Sequence, residues 1–528
     1  MATTHPESGL ALYHSPLGLL DFQAEGVAEF VLGKNKVAVW SCGLGKTHLG
    51  MASAALLFED DMIDLCVVAC EANKVDEWVK DFETFTDLAT MKYRGTLKRR
   101  EKLRNEISAY QVMVSTYETI REDTAMLDGG RSKRAALIPK FLPELLKGKR
   151  VMFIYDEATK LKGRSSTTHR AHRLLVDDVR AFGDAWTLGL TATPIERDPS
   201  DFYNLCRIID HDLVGSVSDF EAKYTKGKDF FNKYIGFKNI SVANTTTVSF
   251  AQKVAPVIMR KRKSDPDVRE QFPDQTEEFV FVELNEAHQD FYEEVAKLDI
   301  ADEGVMFGLL RQVAGHPLAI SNSQGELAKM IAEEVGVAGL RKLGAAKLDQ
   351  LIRDLDNMVN NENSQVIVWT YFGQSLLPHI HAAIRDEFKV SLNYGGMDTK
   401  ARAASKEAFV RGDTAVFLSS DAGARGINLP NASYSVQYDM PVTFAIYQQR
   451  MDRNHRIDSM QDSVTNISYI AKNTVEEGID RLVIKRNRWS EDVFDAELSE
   501  GHGEATHLDA DLRKKLISIS RKTPIKGD

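Results

Sequence analysis

Short apolar runs rich in valine and isoleucine, separated by helical stretches, constrain this chain more than any other feature. One series comprises Val37–Trp40, Leu65–Ala69, Gln111–Ser115, Val151–Tyr155 and Thr187–Leu190; a second comprises Gln365–Thr370, Ala415–Ser419, Ser433–Tyr438 and Thr465–Ile470. Runs without polar alternation read as strands buried on both faces of a parallel sheet, and the intervening helices supply the crossovers. The expected fold class is therefore α/β, with two parallel sheets. A largely helical, polar stretch, roughly 199–348, lies between them. The basic run RKRKSDPD and the Asp265–Pro266 step inside that stretch place the crossing between the lobes near Lys263. The expected domains are 1–263, 264–490 and a partly mobile extension 491–528, in which Leu508, Leu512 and Leu516 share one face of a short helix. No internal repeat of fixed period interrupts this pattern.

The length of 528 residues permits three or four domains at about 150 residues each, and large α/β lobes reduce that to two. No apolar run approaches the ~18 residues needed to span a bilayer. The opening MATTHPESGL has neither a basic nor an apolar signal region, so the expected setting is the cytoplasm, or the host cytoplasm for a viral protein, with no membrane partner. Cys42, Cys66, Cys70 and Cys206 form no CxxC pair, and Cys66 and Cys70 read as reduced core thiols. A formal charge of −10 excludes bulk electrostatic coating of nucleic acid, because phosphate binding needs local Lys and Arg. Such residues cluster at Lys92–Arg104, Arg260–Lys263 and Lys485–Arg488, although each run alone is more often a solvated face.

The segment KVAVWSCGLGKTHLG carries a nucleotide site with a mechanism. Gly43 and Gly45, around Leu44, let backbone N–H groups approach phosphate oxygens at a helix N-terminus. Lys46 reaches the β and γ phosphates, and the Thr47 hydroxyl binds magnesium. Trp40 stands where the strict Walker pattern has its first glycine, so the plain alternative is a glycine turn before a core helix. A second element narrows the choice. In VMFIYDEATKLKG, Asp156 and Glu157 follow a buried strand directly, where one carboxylate can hold the metal and its neighbour can activate water. ATP and Mg2+ are the cofactors implied.

Lys46 and Asp156, in this order, resemble motifs I and II of the superfamily-two helicases, and GLGKT resembles the Swi/Snf branch. Further strings are similar in the same order. Phe22-Gln23 with Gly26-Val27 resembles the branch's adenine-recognition element, which makes Gln23 the reader of the base. VSTYET resembles motif Ib and implies Ser115, Thr116 and Tyr117 on the nucleic-acid face. Trp78 matches a tryptophan after motif Ia and reads at least as well as a core aromatic. LTATPIERD resembles motif III, with Thr191 and Thr193 relaying the hydrolysis state. LLRQVAGHPL is similar to a structural segment in which His316 is packed or capping; VIVWTYF resembles motif IV; and NYGGMD, with Arg402 and Phe409, resembles the strand and helix that follow.

SSDAGARGINL resembles motif V, with Ser419, Ser420 and Arg425 toward phosphates, yet DAGARGIN is closer to the RNA-acting DEAD-box pattern than to "AGGVGLNL". YQQRMDRNHRID resembles motif VI, "QA.GR.HRIGQ", through Gln449, Arg453, His455 and Arg456. Three apart on a helix, Arg453 and Arg456 would share a face and serve as arginine fingers, whereas in isolation they read as an exposed basic turn. SYIAKNTVEEGI resembles the end of the second lobe. The resemblance covers about 20–485 and implies two tandem RecA-like lobes with a helical insertion between motifs III and IV.

The implied activity is an ATP-dependent DNA translocase or helicase, whose split active site closes with ATP and which remodels or branch-migrates duplex or branched DNA in replication, recombination or repair. A strand-separating RNA or DNA helicase is the alternative, and a non-enzymatic nucleic-acid scaffold ranks last because every catalytic position is filled. Protein partners are not indicated by the sequence.

Overall fold

The computed structural model describes residues 10–15, 18–128, 136–163, 166–195, 200–227, 250–300, 302–421, 427–457 and 459–479. Arg425, Asp458, Glu196–Asp198 of motif III, the basic run Lys485–Arg488 and the extension 491–528 lie outside them. The chain forms two compact units that divide between Arg269 and Glu270.

The first unit contains β1 (Asn35–Trp40), β2 (Leu65–Cys70), β3 (Thr90–Lys92), β4 (Val112–Thr116), a small antiparallel pair β5 (Ala125–Leu127) and β6 (Leu137–Pro139), then β7 (Arg150–Asp156), β8 (Asp184–Thr191) and β9 (Ile258–Lys261). Apart from the small pair, the strands form one sheet in the order β3-β4-β2-β7-β8-β1-β9, and every pairing in it is parallel. All six residues of β2 are buried, as a central strand covered on both faces requires. The covering helices are amphipathic. In Val75–Phe85 the buried residues are Val75, Trp78 and Phe82, spaced to lie on one stripe. Val39 pairs with Thr191 and Leu190 with Asp156, so the carboxyl ends of β1, β8 and β7 lie level.

The second unit contains β10 (Asp274–Val282), β11 (Val366–Thr370), β12 (Val390–Asn393), β13 (Val416–Ser420), β14 (Tyr434–Gln437) and β15 (Ser463–Ala471) in the order β10-β15-β14-β11-β13-β12, again all parallel. Its central strand shows why the sequence run is continuous. Val366 and Val368 enter one core with Leu351 and Ile380, while Ile367 and Trp369 enter another with Phe409 and Phe417. A further core joins helices Glu286–Ala296 and Glu303–Gly315 to Ile470 and Val475.

The stretch expected to be helical does contain Ser200–Ile209, Val217–Tyr224, Glu286–Ala296, Glu303–Gly315 and Glu326–Lys342, but it also supplies an edge strand to each sheet, β9 and β10. Nine consecutive residues of β10 pair with β15, yet its first five, DQTEE, are polar and mostly exposed at the sheet edge, which hides the apolar periodicity.

The second unit also buries an ion pair completely. Lys347 Nζ lies 2.8 Å from both carboxylate oxygens of Glu476, each side chain is 0% exposed, and Glu476 Oε2 also accepts from the Ala471 amide at 2.8 Å. Cys66, Cys70 and Cys206 are buried free thiols. Among the described residues, no helix is long and apolar enough to cross a membrane.

Candidate active site

The turn after β1 carries the predicted phosphate loop. Gly43 (φ 86°) and Gly45 (φ 79°) occupy the left-handed region, and the helix Lys46–Glu59 starts immediately beyond. Those two conformations turn the chain sharply out of a buried strand. Gln23 braces the loop: its Nε2 donates to the Leu44 carbonyl at 3.0 Å while its Oε1 accepts from the Leu20 amide at 3.0 Å. A Cβ on Gly45 would overlap the Gln23 side-chain amide, so two separate constraints require glycine there. The Lys46 ammonium donates to the carbonyls of Trp40 (2.8 Å) and Ser41 (3.3 Å), against the loop it leaves.

Asp156 ends β7, and two tethers hold it. Trp78 Nε1 donates to Asp156 Oδ2 at 2.9 Å, and the Tyr117 hydroxyl donates to the Asp156 backbone carbonyl at 2.8 Å. Burial raises the Asp156 pKa, an effect opposed by the Trp78 hydrogen bond and by the charges of Lys74 and Lys46. Glu157 follows in a left-handed conformation (φ 52°, ψ 57°), a state that costs a non-glycine residue about 1–3 kcal/mol and persists only where its surroundings impose it. A carboxylate already desolvated and a hydroxyl at the start of a helix are donors of the kind Mg2+ uses together with nucleotide phosphates. Thr47 and Asp156 fit that role.

In the second unit, motifs V and VI meet at Arg450. Its guanidinium is 1% exposed and grips Asp421 through Nε (2.7 Å) and Nη2 (2.9 Å), while Nη1 donates to Gln437 Oε1 (3.0 Å) and the Asp439 carbonyl (2.8 Å). Asp439 in turn accepts from Thr370 Oγ1 at 2.6 Å and the Tyr371 amide at 2.8 Å. The Asp452 amide closes the helix Phe444–Met451, so Arg453 and Arg456 do not lie three apart on it, contrary to the sequence expectation. The cause lies in tertiary partners: the Arg453 carbonyl is diverted to the Leu429 amide (3.1 Å), and Arg453 Nη1 donates to the Ile427 carbonyl (3.1 Å). Both arginines are half-buried in the turns that follow.

The SNF2-related domain model matches residues 41–329, more than half of the chain, and the helicase conserved C-terminal domain model matches residues 346–458. The chain belongs to the SNF2-related family. Relatives include the ATP-dependent helicase fft3 of Schizosaccharomyces pombe, 24% identical over 91% of this chain and 57% of that protein. Another, from Arabidopsis thaliana, bears the name "Probable ATP-dependent DNA helicase CHR12" and is 23% identical over 96% of this chain and 44% of its own length. The chain spans about half the length of these curated relatives. The Pyrococcus furiosus Hef helicase domain shares the fold, with a TM-score of 0.54, 15% identity, and 88% of this chain and 98% of that chain covered.

Within this SNF2-related chain, Gln23, Gly43, Leu44, Gly45, Lys46 and Thr47 lie on one loop and its brace, and Asp156, Glu157, Thr191 and Thr193 lie at or just beyond the ends of β7 and β8. Thr191 is fully buried, with its hydroxyl accepting from the Thr193 amide at 3.1 Å. The side chains expected on the nucleic-acid face are largely internal. Ser115 is 0% exposed and donates to the Tyr93 carbonyl; Thr116 caps the helix Tyr117–Thr124; Tyr117 is 2% exposed beneath Asp156. Ser419 is also fully buried, accepting from Asn393 Nδ2 at 3.0 Å, and Ser420 is 2% exposed. His316 caps a short helix: its Nδ1 accepts from the Leu318 amide at 3.1 Å, as its packed or capping reading anticipates.

Sequence reasoning missed the bond from Trp78 to Asp156 and the role of Arg450. The second had a signal, since Arg450 stands where the motif VI string "QA" has alanine, and a buried arginine demands acidic partners.

Proposed function

We propose that this chain is an ATP-hydrolysing motor that moves along DNA. The observation that carries the reading is the alignment, at the carboxyl ends of the neighbouring strands β1, β8 and β7, of the glycine turn with Lys46 and Thr47, the Thr191–Thr193 turn, and Asp156 with Glu157. Ligands of open parallel sheets bind at that edge. The bound cation would neutralise developing charge on the phosphates. Thr47 and Asp156 would hold it, Lys46 would leave its loop carbonyls to meet the β and γ phosphates, and Glu157 would take a proton from the attacking water. Gln23, already fixed against the loop, reports on the base. The resemblance to motif VI supports a part for Arg453 and Arg456 in hydrolysis as well.

The name of a relative such as the Arabidopsis probable DNA helicase supports DNA as the track, and the proposal extends to a preference for duplex or branched DNA, with remodelling or branch migration in replication, recombination or repair as the output. ATPase rates with duplex, single-stranded and branched DNA and with RNA test this, with Lys46→Ala as the inactive control. Duplex or branched DNA is expected to stimulate most; stimulation by RNA alone would overturn the assignment.

A further inference from the structure

The predicted metal ligand Asp156 has an unusual neighbour in Trp78. That ring is 2% exposed and lies 5.9 Å from the Phe82 ring. A Cβ built on Gly50, in the helix that begins with Lys46 and Thr47, would sit 3.4 Å from its Cη2. The indole thus packs against the helix of the phosphate loop while its N–H reaches Asp156 Oδ2 at 2.9 Å. An indole has a single donor and no acceptor, so a clamped ring fixes both the direction and the identity of the oxygen it holds.

Packing alone does not explain the bond. Trp186 in the same unit is as deeply buried, and its Nε1 has no hydrogen-bond partner among the described residues. A buried tryptophan of this chain therefore does not take up a partner as a matter of course. At Asp156 the two tethers divide the work, because the Tyr117 hydroxyl holds the main-chain carbonyl and Trp78 holds one side-chain oxygen.

We propose that Trp78 is a positioning residue for the metal: by holding Oδ2 it sets the Asp156 side chain so that Oδ1 faces the Mg2+ of the bound nucleotide. The inference rests on the reading of Asp156 as a metal ligand. Partners that orient a ligand from behind are worth roughly 10- to 100-fold in metal affinity. Because Trp78 also touches the helix of Lys46 and Thr47, a shift of that helix would be transmitted to Asp156 through one rigid ring.

The test uses the full chain with position 78 carrying 3-benzothienylalanine, which keeps the ring and replaces the N–H by sulfur, beside Trp78→Phe and Asp156→Asn. Calorimetry measures ADP affinity with and without Mg2+, and ATPase assays give the Mg2+ concentration for half-maximal rate. For the benzothienyl chain, metal-free ADP affinity is expected to hold within about twofold while the Mg2+-dependent gain falls about 10- to 100-fold, with a matching rise in half-saturating Mg2+. A full Mg2+ gain in the benzothienyl chain overturns the proposal if Asp156→Asn loses that gain, even where Trp78→Phe weakens it through packing. If Asp156→Asn itself retains the gain, the metal-ligand reading fails first and the proposal with it.

Discussion

Replacing Lys347 by methionine isolates the energetic weight of the second unit's buried charge. In the native chain the ammonium sits 2.8 Å from both oxygens of Glu476, with neither side chain exposed. At an effective dielectric of about 20, Coulomb attraction at that separation is about 6 kcal/mol, set against a desolvation cost of several kcal/mol for each ion. The net worth of the pair is therefore small, but the cost of breaking it is not. Lys347→Met leaves a buried carboxylate with the Ala471 amide as its remaining hydrogen-bond donor among the described residues and should destabilise by about 3–5 kcal/mol. Glu476→Gln should cost a similar amount, because an ammonium then faces a neutral amide. The double change Lys347→Met/Glu476→Leu removes both charges and should cost no more than about 1–2 kcal/mol, since apolar replacements of similar volume are often neutral. With two units the chain need not unfold in one step, so hydrogen exchange of the helix Ala346–Leu355 is the appropriate measure. Single variants costing under about 1 kcal/mol, or a double variant as costly as the sum of the singles, would refute the reasoning.

Three further outcomes follow from the geometry. Gly45→Ala should lower the melting temperature of the first unit and abolish ADP binding measured by calorimetry, since it combines a left-handed strain of about 1–3 kcal/mol with displacement of Gln23; intact ADP binding would contradict this. Glu157→Gln should lower DNA-stimulated ATP turnover by about 10²- to 10⁴-fold while leaving nucleotide binding in place; retained turnover would remove the residue from water activation. Burial depresses the pKa of His172 and His288 to about 4 and of His316 to about 3. Their folded values lie below the unfolded value, so the stability they contribute is full above pH about 6.5 and is lost as pH falls toward 4, by up to about 1.4 kcal/mol per pH unit for each group. Two of the three lie in the second unit, whose melting temperature should fall more steeply between pH 7 and 5 than that of the first; equal slopes would count against it.

The sequence revealed most where burial and chemistry coincide. The runs around Val67 and Val368 announced central strands because both their faces are covered, and the glycines at 43 and 45 announced the loop because its backbone demands them. Strand β10 escaped because its solvent edge is polar. The arginine turn was misread as helix because its end depends on partners some two dozen positions away in the chain, the Leu429 amide donating to the Arg453 carbonyl and the Ile427 carbonyl accepting from the Arg453 side chain. Motif Ib shows a third kind of limit. Similarity marked Ser115, Thr116 and Tyr117, but only the fold reveals that these side chains hold the frame and that Tyr117 supports Asp156.

The network at Arg450 bears on how this protein can be recombined with its relatives. One guanidinium grips the Asp421 carboxylate and lies 3.6 Å from that of Asp439, and through Asp439 it reaches Thr370 and Tyr371. Motifs IV, V and VI are thus a single unit of exchange. A chimera that imports the alanine of the common motif VI string while keeping Asp421 and Asp439 would inherit two acidic groups with no counter-charge from position 450, and a graft that moves positions 421, 439 and 450 together would not.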